Sequence, residues 1–199
     1  MTLSIFTPPL PANKLKQKND IIHWHNLQGS SLALSIANAA QQISGPLLLI
    51  TADTPTAIKL EKELDYFLQQ SDIDVQLFPD WETLPYDSFS PHQDIVSQRL
   101  ETLYRLTQNE RCIFIVPINT LMMRMAPVDY IGKYLLLLKT GQTLDINQFR
   151  SGLERAGYLH VNQVMSHSEF SIRGSIIDLY PMGSRQPYRI DLFDNEVDS

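Results

Sequence analysis

The chain has 199 residues, 43% of them hydrophobic and 19% charged, a balance that gives a folded globular protein and excludes disorder or a fibrous repeat. Net charge is −6 and neither part is basic: residues 1–132 hold 9 Lys/Arg against 14 Asp/Glu, and residues 133–199 hold 7 against 8, which argues against a non-specific nucleic-acid platform. The longest aliphatic runs, Leu47–Ile50 and Leu135–Leu138, are too short to span a bilayer, and the single cysteine, Cys112, excludes an internal disulfide or a multi-cysteine zinc site.

The N-terminus carries no apolar signal core, so a cytoplasmic protein with no membrane partner is expected. Residues 1–19, with three prolines, three lysines and no periodicity, read as a loose tail. Ser30 or Ser31 caps a helix running to about Ile43, with Leu32, Ile36 and Ala39/Ala40 on one face and Gly45 as its stop. Pro46–Ala52 is a short apolar run of the kind found in buried parallel strands. Thr54-Pro55 reads as an N-cap followed by proline at the first helical position, opening a helix that carries Ala57, Leu60, Leu64, Phe67 and Leu68. Val75–Phe78 is a second strand, and Pro79–Gln93 a long aromatic loop. A helix from about Asp94 to Leu106 is expected to bury Val96, Leu100, Leu103 and Tyr104. Cys112–Val116 is a third strand, and Asn119 opens a short helix that ends before Pro127. Strands alternating with helices predict a parallel α/β sheet over residues 20–132.

The pattern changes near Val128–Gly132. Tyr134–Lys139 reads as a strand and Thr140-Gly141 as a turn. Asp145 with Gln148 three residues on is a capping-box start for a helix bearing Phe149, Leu153 and Ala156 and ending at Gly157. Phe170–Tyr180 and Tyr188–Phe193 then alternate as two strands joined by Pro181–Pro187. Residues 133–199 are therefore expected to form a smaller α+β module.

Several stretches invite a chemical reading. Asn26–Ala33 lies before a helix and ahead of a parallel strand, where a phosphate loop would lie. Such a loop needs a lysine for the β/γ-phosphates and a hydroxyl for magnesium. Gly29, Ser30 and Ser31 are present, but Leu32 and Ala33 occupy the lysine and hydroxyl positions. His23 and His25 lack a third ligand at metal spacing, and Cys112 sits within an apolar strand. Asp191, Asp194, Glu196 and Asp198 read as a solvated hairpin end. The loop Trp81–Asp94 exposes aromatics to either base stacking or packing on a sheet, with Glu82, Asp87 and Asp94 and no cation among them. In Tyr188–Phe193, alternation puts Tyr188, Ile190 and Leu192 on one face and Arg189, Asp191 and Phe193 on the other. Arg173 joins the second face if its strand pairs as a hairpin. A cation beside an exposed aromatic is the composition of a partner hot spot, and equally of a surface salt bridge with an incidental phenylalanine.

The segments Asp80–Asp94, Val116–Met122, Ala156–Met165, Ile172–Ser184 and Pro187–Ser199 resemble the transcription-repair coupling factor family in its N-terminal, UvrB-like region. The resemblance covers roughly residues 20–199 and extends more weakly to UvrB. It implies a helicase-like lobe with a degenerate phosphate loop at Gly29–Ala33, without the long damage-probing hairpin of UvrB, followed by a UvrA-docking module truncated at its C-terminal end. It carries the UvrA-contacting positions onto Arg173, Arg189 and Phe193. It further implies a non-catalytic fragment with no cofactor and no metal. For the intact family member it implies an ATP- and magnesium-dependent DNA translocase that acts on stalled RNA polymerase, and an intramolecular contact with its C-terminal part.

Overall fold

The computed structural model describes residues 21, 23–84, 86–108, 110–125, 127–128 and 138–199. The expected tail 1–19, Pro85, the expected boundary at 132/133 and most of the expected strand Tyr134–Lys139 lie outside them. In chain order the elements are α1 (Ser31–Gln42), β1 (Leu47–Thr51), α2 (Thr54–Leu68), β2 (Asp74–Leu77), α3 (Gln93–Thr107), β3 (Cys112–Pro117), α4 (Ile118–Leu121), α5 (Ile146–Arg155), β4 (Leu159–His160), β5 (Glu169–Arg173), β6 (Ile176–Tyr180), β7 (Tyr188–Phe193) and β8 (Glu196–Val197). They form two compact units. One takes the described residues up to Asp80 with Gln108–Met123, the other 81–107 with 124–199. The helix α3, expected to complete the first block, thus clusters with the second unit.

The first unit is a three-stranded parallel sheet in the order β1-β3-β2. Its core joins Ala33, Ile36, Ala37 and Ala40 of α1, Ala57, Leu60, Leu64 and Leu68 of α2, and Ile113 and Ile115 of β3. Every residue of β3 is buried, as a central strand covered on both faces requires. Cys112 is a buried free thiol within it. The Arg111 guanidinium closes the end of α1: Nε donates to Ile43 O at 3.1 Å, and Nη2 to Ala40 O at 3.2 Å and Gln41 O at 2.7 Å. A cation on the last carbonyls satisfies orphan acceptors and opposes the negative end of the helix dipole.

Two details of this unit differ from expectation. The N-cap of α2 is Asp53, whose carboxylate accepts from Thr56 N at 2.8 Å, so Thr54 and Pro55 already lie inside the helix. Hydrogen bonding from the Thr56 side chain, and then from its backbone N–H, holds the Asp53 carboxyl below its ordinary range. On α1, Ala33 is fully buried whereas Leu32 is 40% exposed, so the core stripe starts one residue later than the spacing suggests. Ser30 is the N-cap, one of the two expected positions, and the buried stripe runs through Ala33, Ile36, Ala37 and Ala40 with Leu32 beside it.

The second unit is a five-stranded sheet, β4-β5-β6-β7-β8, antiparallel except for the β4–β5 pair. Its core brings Phe149 and Leu153 of α5 onto Phe170, Ile177, Leu179, Ile190, Leu192 and Val197. Asp145 caps α5, accepting from Asn147 N at 2.9 Å and Gln148 N at 3.0 Å. Gly157, at φ +89°, ends it in the left-handed region that glycine enters without steric cost. Ala156 is exposed, contrary to the expected face. The stretch 170–180 is not one strand but the hairpin β5–β6, with Arg173 opposite Ile176 across Gly174-Ser175 and Gly174 at φ +63°. A Gly-Ser pair is a two-residue hairpin signal that strand periodicity alone overrides.

The buried positions of α3 are polar: Ser97, Arg99 and Thr102, with Val96, Leu100, Leu103 and Tyr104 half-buried. Ser97 Oγ accepts from Gly183 N at 2.8 Å, Thr102 Oγ donates to Gln98 O at 2.8 Å, and Arg99 lies 4.0 Å over the Trp81 ring. His167, its ring tilted against Tyr180 with centroids 4.1 Å apart, reaches Asp94 at 2.9 Å and Ser184 O at 2.9 Å. Hydrogen bonds of Ser97 with Gly183 and of Asp94 with His167 hold this helix on the sheet's loops, and the expected apolar stripe is only half-buried.

Candidate functional site

The sequence placed candidate chemistry at five places, and the structure treats them differently. At Gly29–Ala33 the chain makes a turn into α1, with Gly29 at φ +56°. Residues 23–28 form no strand. The two hydroxyls are engaged: Ser30 Oγ donates to Glu63 Oε1 at 2.9 Å and Ser31 Oγ to Gln28 O at 2.7 Å. A carboxylate bonded at the first turn of a helix opposes anion binding there.

His23 and His25 stack at 6.1 Å, and among the described residues no group of three His, Cys, Asp or Glu can hold a metal. Asp194 sits at φ +55° in the two-residue turn between Phe193 and Glu196, a hairpin end as expected. In the aromatic loop, Trp81 is held under Arg99, while Leu84, Tyr86 and Phe89 are exposed. Asp87 closes that loop, accepting from Leu84 N at 2.7 Å through its carboxylate.

The remaining place is the face of the second sheet turned away from its core. Cross-strand register sets two rows on it. Ser171, Asp178 and Arg189 stand side by side on β5, β6 and β7, and Arg173, Ile176 and Asp191 form the next row. Alternation sends Ile190 and Leu192 into the core and leaves Arg189, Asp191 and Phe193 exposed, as the sequence predicts; Tyr188 departs from it, being 51% exposed at the strand's start. Phe193 is 75% exposed. The packed alternate residues of β7 hold that ring in water.

Asp178 gathers the two arginines. Arg189 donates from Nε to Oδ1 at 2.6 Å and from Nη2 to Oδ2 at 3.0 Å, and Arg173 donates from Nη2 to Oδ2 at 2.5 Å. The fork of Arg189 thus grips the carboxylate in parallel, the strongest geometry for this pair. Hydrogen bonding from Arg189, reinforced by Arg173, holds the Asp178 carboxyl below its ordinary range. The same bond raises the Arg189 guanidinium. Sequence reasoning found Arg173 and Arg189 but missed Asp178. The signal was the Gly174-Ser175 turn: once 170–180 is folded there, register puts Asp178 between them.

Residues 136–199, which hold all four side chains, match the family model described as the UvrB interaction domain. The chain is 48% identical over 173 residues, 87% of its length, to the transcription-repair-coupling factor of Escherichia coli K12. It is 43% identical over all 199 residues to that of Haemophilus influenzae Rd, and 34% identical over 173 residues to that of Bacillus subtilis 168. These matches span 15%, 17% and 14% of those proteins. No described helix is long and apolar enough to cross a membrane. The chain belongs to the transcription-repair-coupling factor family, through its UvrB-like N-terminal region.

Proposed function

We propose that this chain is a non-catalytic adaptor whose second unit docks UvrA, and that in the whole protein it recruits excision repair to RNA polymerase stalled at a DNA lesion. The observation that carries the reading is the open face where Arg173 and Arg189 share Asp178 beside the exposed Phe193. Guanidinium forks suit carboxylates, and an exposed aromatic at the same face supplies the apolar anchor that interface hot spots need. The UvrA contact is assigned to Arg173, Arg189 and Phe193.

Support for a non-catalytic role comes from Leu32 and Ala33 at the positions a phosphate loop gives to lysine and hydroxyl, and from Glu63 bonded at the same turn. The fragment then needs no cofactor. ATP and magnesium belong to a motor elsewhere in the whole protein, as do its contacts with DNA and polymerase, all in the cytoplasm. Calorimetric titration of the chain with purified UvrA tests the proposal. Saturable binding is expected, and magnesium-ATP added to the chain alone should give no heat of binding. Micromolar ATP affinity, or no UvrA binding by a folded chain, contradicts it.

A further inference from the structure

The docking face holds an acid at its centre, which is a puzzle if its partner presents carboxylates. We infer that Asp178 is the positioning residue of this face: it presets Arg173 and Arg189 in one arrangement that a partner carboxylate then reads. The inference rests on the docking role proposed above. Asp178 stands on β6 between the strands that carry the two arginines, directly opposite Arg189 in register. Its side chain is only 16% exposed, whereas those of Arg173 and Arg189 are 60% and 63% exposed. The carboxylate therefore lies at the floor and the guanidiniums lie open to the partner.

The bonding leaves donors over. Arg189 spends Nε and Nη2 on Asp178, which leaves Nη1; Arg173 spends Nη2, which leaves Nε and Nη1. Ser171, the other neighbour in that row, is buried and donates to Asn162 O at 3.4 Å, so it does not compete for the carboxylate. Without Asp178 two like charges on strands flanking β6 would repel and explore separate rotamers. Holding them before encounter removes part of the entropy that binding otherwise loses. The depressed Asp178 carboxyl means that the device stays charged throughout the neutral range.

Two accounts of Asp178 make opposite forecasts. If net charge alone governs docking on an acidic partner, removing an acid strengthens binding. If Asp178 positions the arginines, removing it weakens binding. Asp178→Asn keeps the shape and deletes the charge. Titrated with UvrA as the full 199-residue chain, it should bind at least about tenfold more weakly than the parent. In the nitrogen–proton spectrum of the chain, the Arg189 Nε–H signal should move to the position of a free guanidinium. Asp178→Glu, which keeps the charge but shifts the carboxylate by one methylene, should fall between the two, and it decides the matter if Asp178→Asn does not fold. Binding by either variant equal to or tighter than the parent's, while Arg189→Ala remains weakened, overturns the positioning role and leaves the docking face standing. If Arg189→Ala and Phe193→Ala also bind like the parent, the docking face itself is wrong and this inference falls with it.

Discussion

Neighbouring residues on β7 have opposite duties. Arg189 and Phe193 lie on the open face, four residues and at most about 13 Å apart, while Ile190 and Leu192 fill the core. Arg189→Ala is therefore expected to weaken UvrA binding at least about tenfold, with a fall in melting temperature smaller than that of a core truncation, because Asp178 keeps Arg173 as a partner. Ile190→Ala should behave in reverse. It removes a buried side chain from the second core at a cost of about 2–5 kcal/mol, seen as a lower denaturant midpoint, while the folded fraction still binds. Asp178 adds a pH dependence. Its folded carboxyl is depressed, so its contribution is present above the ordinary carboxylate range and is lost as pH falls through the lowered folded value. Acid titration of parent and Asp178→Asn, followed by denaturant melts, should show the parent's advantage at neutral pH closing only in strong acid. A gap independent of pH contradicts the shared clamp.

At the scale of elements, local signals were readable where one face of each segment is buried. The apolar run of β3 and the stripe of α2 identify themselves, because a continuous or regularly spaced set of aliphatic residues has few ways to leave water; β1, whose run reads as a buried strand, is instead an edge strand that leaves Leu48 and Ile50 exposed. The Asp145 cap was equally plain, since an acceptor three residues before Gln148 bonds the free amides of a first turn. The α3 stripe misled because that helix buries Ser97, Arg99 and Thr102, and partners such as Gly183 for Ser97 and Trp81 for Arg99 come from outside the helix. The open face was half legible for the same reason. Alternation gave Arg189 and Phe193, but Asp178 needed the register of three strands, which the Gly174-Ser175 turn sets. Gly174→Val tests that turn. A β-branched side chain at φ +63° should destabilise the chain by about 1–3 kcal/mol in a denaturant melt, although nothing crowds the site. An unchanged midpoint would mean that the hairpin does not need this conformation.

At the scale of the whole molecule, the expected division at residue 132 and the compact units do not coincide, because α3 clusters with the second sheet. A fragment starting near residue 128 loses the Ser97–Gly183 and Asp94–His167 bonds. Its amide spectrum should be less dispersed, and its melting temperature lower, than those of the same residues within the full chain; equal behaviour would make α3 dispensable. The central claim is that one sheet face, and not the phosphate-loop region or the aromatic loop, gives this chain its partner. The most direct measurement is calorimetric titration of UvrA with four folded full-length chains: parent, Arg189→Ala, Phe193→Ala and, as a control in the aromatic loop, Tyr86→Ala. The account predicts that the parent and Tyr86→Ala bind alike, while Arg189→Ala and Phe193→Ala each lose at least about tenfold in affinity. Loss of affinity in Tyr86→Ala, with Arg189→Ala and Phe193→Ala binding like the parent, would contradict it.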